Sequence, residues 1–529
     1  MSARFARFTF TCMLAILAIS AMAILYISTP VGAGLANDSV AYIAGARSLL
    51  LGKGYSDIWL DSSLEPVTHY PPLLSLSLSA LGLLGIDPLR GARILNIFLF
   101  GINTALMGLL GWRMTRSSMA AVWLAALFML NAAMLRVHVF ALSEPLYLFL
   151  SLLAFLCFDH YYISPNRQHK TTWLILAGLS TGLASLTRYS ALALLPTFII
   201  VLFFFSSYHK TWRARLAAAS LFLAGAIPPL AAWFLRNKLA AGNATNRTFQ
   251  FHPVTSENIQ PGIYNISQFL MPIEPWRQLL VRSGLLEWVL ATLGLVLLLW
   301  LAFQAWMFII HPEYGLTGSL SLTTGLYVFA YLGAVLFSMS FFDASTKFQP
   351  RILAPLYVAF MLLLIASGAW LWQKRNRVAQ GFVIVIVAAS LALSAYADTR
   401  AIADFKTAGQ GYASWKWHDS LIMASLQNLP AEIAIYTNTP PAVYLVTGRA
   451  SRTLPTPIDP VDNLLRSDYE QNLARMRTDL LTGKAVLALF DTTNLDASDM
   501  PPGTQAIQSI AAGLNVLQKS QGDILYGKP

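Results

Sequence analysis

The sequence predicts an all-α bundle that crosses a membrane about eleven times, followed by a small α/β domain outside the bilayer. Three observations carry that expectation. Hydrophobic residues make up 56% of the 529 and charged residues only 12%, where an average soluble domain has roughly 45–50% and about 25%. Apolar runs long enough to span recur along the first three quarters of the chain. Near residue 398 the composition turns charged and no further span follows. Together these exclude a soluble enzyme, a disordered chain and a disulfide scaffold. The net charge of +11 does not call for a nucleic-acid partner, because Lys and Arg gather in short turns between spans, where membrane orientation requires them.

A spanning helix needs about 20 mostly apolar residues. By that measure the spans fall at 8–28, 93–112, 118–136, 144–162, 172–187, 189–207, 216–235, 284–310, 317–341, 351–372 and 378–397. The first follows Arg4 and Arg7 without a convincing small-residue cleavage site, so it reads as a retained helix. With the N-terminus in the cytoplasm, the inner turns hold Arg113 and Arg116, Arg167 and Lys170, Lys210, Arg213 and Arg215, and Lys374, Arg375 and Arg377. One inner turn, at His311, breaks the pattern. An odd number of spans then puts the 398–529 domain outside the cytoplasm. Cys12 and Cys157 both lie in apolar runs, so neither a disulfide nor a thiolate metal site is expected.

Two outer stretches are long. Residues 29–92 contain a helix start at Asn37-Asp38, a stop at Gly52-Lys53-Gly54, and a short apolar segment from Pro71-Pro72 to Leu84 that reads as interfacial or re-entrant. Residues 236–283 are polar and read as a partly mobile loop. In the outer domain, strand-like runs around Ala434–Thr437 and from Lys484 to Phe490 flank a helix-compatible stretch at 461–482.

No P-loop, dinucleotide-binding glycine fingerprint or His-Glu-x-x-His motif is present. The informative residues are polar ones at the outer membrane edge: Asp38, Tyr42, Arg47, His69, Tyr70, Glu144, Arg188, Asp343, Lys347 and Arg351. Charges there pair or line a cavity, and two acids among several cations suit a phosphate-bearing substrate with a hydroxyl to be deprotonated. Each residue also has a plain structural reading. Asp38, one helical turn before Tyr42, and Glu144 both suit the first turn of a helix. His69-Tyr70 suits an aromatic anchor, held extended by Pro71-Pro72. Arg188 and Arg351 offer forks suited to phosphate but also suit snorkelling to headgroups. Asp38, Glu144 and His69 are residue types that ligate divalent ions, so a metal there stays open.

The order Asp38-x-x-x-Tyr42, Ala46-Arg47, Gly52-x-Gly54-Tyr55 and His69-Tyr70-Pro71-Pro72-Leu73 resembles the first outer loop of the GT-C glycosyltransferases, nearest the bacterial branch of the protein O-mannosyltransferases and aminoarabinose transferases. Ser143-Glu144-Pro145-Leu146 resembles that group's second acidic position. Leu186-Thr187-Arg188-Tyr189 resembles its Leu-Thr-Arg-Pro segment, with Tyr189 for proline, and Lys347 to Pro355 resembles its late arginine-and-proline segment. The 434–455 run, from Ile435-Tyr436-Thr437-Asn438 through Gly448-Arg449 to Leu454-Pro455, is similar to the outer domain of such proteins. Ser39 departs from the pattern, since many members carry Glu beside the first acid.

The resemblance implies a transmembrane domain over 1–397 with its active site on the outer loop, and an outer domain over 398–529. It implies a multi-pass bacterial inner-membrane enzyme. That enzyme would move a sugar, with inversion, from a polyprenyl-phosphate donor to a hydroxyl acceptor in the cell envelope, whether lipid, glycan or protein. It assigns Asp38 as catalytic acid/base, Glu144 as the second acid, and Arg188 and Arg351 to the donor phosphate or cavity wall. Tyr42, His69, Tyr70 and Lys347 complete the expected substrate-binding set. The rival expectation is a transporter or lipid flippase with an outer accessory domain.

Overall fold

The computed structural model describes residues 3–61, 64–206, 211–244, 249–310, 319–343, 346–458, 464–492, 510–520 and 522–528. Lys210 and the His311 turn lie outside these residues, as does the beginning of the 461–482 stretch. In chain order the bundle comprises α1 (Ala3–Ser28), α2 (Asn37–Leu50), α3 (Leu73–Gly82), α4 (Pro88–Thr115), α5 (Ser118–Met129), α6 (Ala132–Val139), α7 (Glu144–Ile163) and α8 (Arg167–Ser185). A 3-10 turn (Tyr189–Ala193) leads into α9 (Leu194–Phe204), followed by α10 (Trp212–Ala241), α11 (Ser256–Leu270), α12 (Glu274–Arg282), α13 (Leu285–Ile310), α14 (Ser319–Phe341), α15 (Pro350–Gln373) and α16 (Arg377–Ala408). The protein is a multi-pass membrane protein.

Every stretch read as a span is helical over most of its described residues, but they are not equivalent. Among the described residues, eight helices are long and apolar enough to cross a bilayer: α1, α4, α7, α10, α13, α14, α15 and α16. The 118–136 stretch is two helices bent by 57°, because the Asn131 side chain accepts from Ala133 N and Met134 N and caps α6 anew. The 172–187 and 189–207 stretches fall in α8, whose first turns carry Arg167, His169 and Lys170, and in the short pair of the 3-10 turn with α9.

Helix α8 earns its place by packing. Gly178 and Gly182 lie against α10 so closely that a Cβ would stand 2.1 Å from Phe222 O and 2.5 Å from Ala226 O respectively. Small residues four apart are what let helix backbones approach inside a membrane.

Two expectations about the stretches read as lying outside the bilayer change. The 236–283 stretch, read as a polar loop, contains α11 and α12. Thr255 and Asn258 cap the start of α11, and Pro275 stands in the first turn of α12, where its missing N–H costs nothing. Helix α16 also runs past the composition change to Ala408, because charged residues outside the bilayer sustain a helix until Gly409, at φ 68°, ends it.

The C-terminal part adds α17 (Trp415–His418), α18 (Leu421–Gln427), β1 (Ala434–Thr437), α19 (Pro440–Thr447), β2 (Arg452–Thr453), α20 (Tyr469–Leu481), β3 (Ala485–Leu489), β4 (Asn515–Ser520) and β5 (Asp523–Gly527). The sheet order is β2-β1-β3-β5-β4. The first three strands are parallel, with Ile435 opposite Val486, and the last two pair antiparallel. Strand alternation sends Ile435, Val486 and Ala488 to a cluster with α18 and α19. It sends Tyr436, Leu487 and Leu489 to a second cluster with Met476 and Leu480 of α20.

This domain is tied to the bundle through backbone. Gly34 N donates to Val139 O, Leu35 N to Gln410 O and Tyr412 N to Leu35 O, so the entry to α2 is clamped from both sides. Gly411 permits this, since a Cβ there would lie 1.9 Å from Leu35 O.

Candidate active site

The clamp at Gly34–Leu35 fixes where α2 starts, and the capping of α2 frees its first acid. Ser39 Oγ accepts from Ala36 N at 2.9 Å, so the Asp38 carboxylate is not spent on a helix cap. Instead Oδ1 accepts from Tyr70 Oη at 3.0 Å, and Oδ2 accepts from the Arg351 guanidinium. Arg351 stands in the first turn of α15, directly after Pro350, and its Nε donates to Gln349 Oε1 at 2.8 Å.

Glu144, in the first turn of α7, is 1% exposed. Its Oε1 accepts from Arg188 and lies 3.9 Å from Arg351 Nε, while Oε2 has no hydrogen-bond partner among the described residues. The sequence-predicted residues thus form one continuous chain, Tyr70–Asp38–Arg351–Glu144–Arg188. Two carboxylates alternate with two guanidiniums, so the formal charge is balanced. The Asp38 and Arg351 side chains remain about a quarter exposed, at 25% and 27%. The Arg188–Glu144 pair is more enclosed. The open half can meet a substrate, and the closed half holds it in place.

Tyr42 lies one turn beyond Asp38. It donates to Ser143 Oγ at 3.1 Å and meets the Tyr70 ring edge-on at 5.4 Å. His69 rests against the Tyr70 ring at 4.3 Å. Lys347 is exposed on the segment leading into α15. Arg47 lies apart from the chain: it pairs with Asp87 at 3.1 Å and lies over the Tyr444 ring, joining α2 to α4 and α19. Among the described residues no three His, Cys, Asp or Glu side chains gather as a metal cluster. Asp38 and Glu144 each hold an arginine instead.

Electrostatics keep Asp38 ionised. Burial alone raises a carboxyl, but Arg351, the Tyr70 hydroxyl and Arg188 outweigh it and hold the group below the usual carboxylate range. Burial, reinforced by the Asp38 charge, pushes the Tyr70 and Tyr42 hydroxyls up, so both stay protonated donors at neutral pH.

A second set of residues, absent from the sequence-predicted list, holds Tyr70 in place. Arg236, near the end of α10, donates to Val67 O and Tyr55 O, each at 2.6 Å, and stacks over Trp233 at 5.3 Å. Tyr189 Oη donates to Thr68 O at 3.2 Å and accepts from Trp233 Nε1 at 2.8 Å. The segment just before His69-Tyr70 is therefore pinned by its carbonyls. The available signal was the position of Arg236 near the end of a span, much as Arg188 follows the end of α8. Its partners are backbone atoms, which no sequence motif marks.

Residues 69–240 match the family model described as dolichyl-phosphate-mannose-protein mannosyltransferase. The fold is similar to ArnT from Cupriavidus metallidurans in the apo state, with TM-score 0.61 and 13% identity over 98% of each chain. It is similar to the same protein bound to undecaprenyl phosphate, with TM-score 0.58 and 13% identity over 99% of this chain and 98% of that one. It is also similar to the archaeal oligosaccharyltransferase AglB from Archaeoglobus fulgidus in complex with an inhibitory peptide and a dolichol-phosphate. There the TM-score is 0.57 and the identity 13%, over 93% of this chain and 70% of that one. No curated protein sequence matches the chain. The likeness read from the outer-loop residues is thus accompanied by a match to that mannosyltransferase family model over 69–240 and by a similarity of fold over nearly the whole chain.

Proposed function

We propose that this membrane protein of GT-C fold transfers a sugar from a polyprenyl-phosphate donor to a hydroxyl acceptor at the outer face of the membrane, with inversion. The observation that carries the reading is the Asp38–Arg351 pair, open to solvent on one side and backed by Glu144 and Arg188. Supporting it are the mannosyltransferase-family match over 69–240 and the prenyl phosphates named in the ArnT and AglB structures.

In this mechanism Asp38 accepts the proton of the acceptor hydroxyl, whose oxygen forms the new bond to the anomeric carbon. The bond from that carbon to the phosphate oxygen breaks, and polyprenyl phosphate leaves with the electron pair. Arg351, with Arg188 behind it, stabilises the charge growing on that oxygen, and such contacts count most where they strengthen in the transition state. Arrival of the donor phosphate draws Arg351 away from Asp38. The carboxylate then loses the partner that depresses its basicity and becomes a better base when the acceptor is in place. Glu144 keeps both arginines oriented.

The outer-face placement rests on the basic inner turns and on the docking of the C-terminal domain at the end of the bundle that holds Asp38. A transporter would be expected to bind nearer mid-membrane. The test is direct: purified full chain in nanodiscs, a polyprenyl-phosphate sugar and a panel of hydroxyl acceptors. Release of polyprenyl phosphate with an inverted glycosidic bond is the expected result. Donor left intact with every acceptor, or moved across the bilayer unchanged, would overturn the reading.

A further inference from the structure

Away from the bundle site, a cavity of about 570 Å³ lies between the first outer loop and the C-terminal domain. It has the size of a small-ligand site. Its wall is built by backbone pairing across the seam: Asp61 N donates to Ser451 O at 3.0 Å and Ser451 N to Trp59 O at 3.1 Å. Three arginines line it, Arg452 on β2, Arg466 before α20 and Arg475 within α20, against one lining carboxylate among the described residues, that of Asp61.

Arg452 is already anchored, by Asp61 at 2.8 Å and Asp479 at 3.0 Å. Arg475 makes no hydrogen bond or ion pair among the described residues. Ser451, fully buried and lining the cavity, has an Oγ without a partner among the described residues. A cavity that gathers more guanidinium than carboxylate and leaves a buried hydroxyl unpaired is short of an acceptor-rich ligand.

We propose that this seam cavity binds a phosphate group carried by the acceptor. The Arg475 guanidinium, with those of Arg452 and Arg466 lining the same cavity, suits a tetrahedral oxyanion, whose several oxygens can accept from more than one fork, whereas a planar carboxylate satisfies one fork. The volume exceeds that of phosphate and leaves room for an attached sugar or linker. The donor phosphate is assigned to Arg351, so an anion here belongs to the other substrate. The outer loop connects the two places: Asp57 N pairs with Glu65 O and Val67 N with Tyr55 O. The excursion that touches the cavity at Leu60–Asp61 therefore returns directly to Thr68-His69-Tyr70. Occupancy of the seam would hold the acceptor beside the loop that carries the Asp38 partner. The assignment to the acceptor rests on the transferase reading, but the binding does not.

The experiment measures affinity in the full chain in neutral-lipid nanodiscs. The probes are glucose 1-phosphate, a short-chain phosphatidic acid and unphosphorylated glucose. Both phosphorylated probes are expected to bind and glucose is not, with Arg475→Glu weakening binding about tenfold or more and Arg351→Gln leaving it unchanged. Tighter binding of phosphatidic acid assigns the phosphate to a lipid-borne acceptor, and tighter binding of glucose 1-phosphate assigns it to a glycan; either supports the site. Equal affinity in Arg475→Glu, no dependence on phosphate, or loss only in Arg351→Gln would overturn it. Failure of the transferase reading looks different, as phosphate binding retained in a protein that never consumes a donor.

Discussion

Arg351 reaches the Asp38 carboxylate across 313 residues of sequence, so the first outer loop and the first turn of α15 share one ion pair at the mouth of the bundle. That pair couples the proposed base to the proposed phosphate ligand. What happens to one changes the chemistry of the other.

Asp38→Asn is therefore expected to abolish transfer. Asn keeps the shape and can still accept from Tyr70, but it takes up no proton, and general-base catalysis contributes about 10²–10⁴-fold. Because Ser39 rather than Asp38 supports the helix start, thermal unfolding in detergent is expected to change little. Turnover within a few-fold of the parent protein would remove Asp38 from the chemistry and point to Glu144.

Arg351→Gln is expected to lower turnover on the order of 10²-fold at saturating donor, by analogy with loss of an oxyanion donor. It should also move the acid limb of the pH profile. Asp38 lies below its ordinary value in the folded protein because of Arg351 and its neighbours. Its stabilising contribution is thus present above the unfolded pKa of about 3.9 and lost as pH falls through the lower folded value. Removing the guanidinium raises that folded value, so activity and stability should fail at higher pH than in the parent. An unshifted acid limb would mean that Arg351 does not set the charge state of Asp38.

Arg236→Ala tests the latch on the outer loop. Without the two bonds to Val67 O and Tyr55 O, Tyr70 is held less firmly against Asp38. We expect kcat to fall about tenfold, with a smaller change in KM for the donor. Arg236→Lys, which can restore one of the two bonds, should lie between. A defect seen only in folding yield, with normal kcat in the folded fraction, would make Arg236 a purely structural residue.

A reporter fused after the last residue tests the orientation. An outer-face C-terminal domain predicts activity only for an extracytoplasmic reporter such as alkaline phosphatase, as the basic inner turns require. Signal from a cytoplasmic reporter would invert the assignment of the whole site.

The apolar helices, the first-turn positions of Asp38, Glu144 and Arg351, the place of Arg188 between two helices, and the β1 and β3 strands were legible from sequence because their signals are local. A span announces itself by the solvent it must enter, and a first-turn acid by the helix it begins. The sequence could not say that Asp38 pairs with Arg351 while Glu144 takes Arg188, since both arginines face both acids equally well on charge alone. Packing chose: α15 brings its first turn to α2, and the end of α8 brings Arg188 to α7. The bend at Asn131 and the helices α11 and α12 rest on local caps that hydropathy does not report, whereas the latch from Arg236 to backbone carbonyls was settled by tertiary contacts. Hydropathy reports what a residue prefers as surroundings. It does not report which of several suitable partners the folded chain will place within reach.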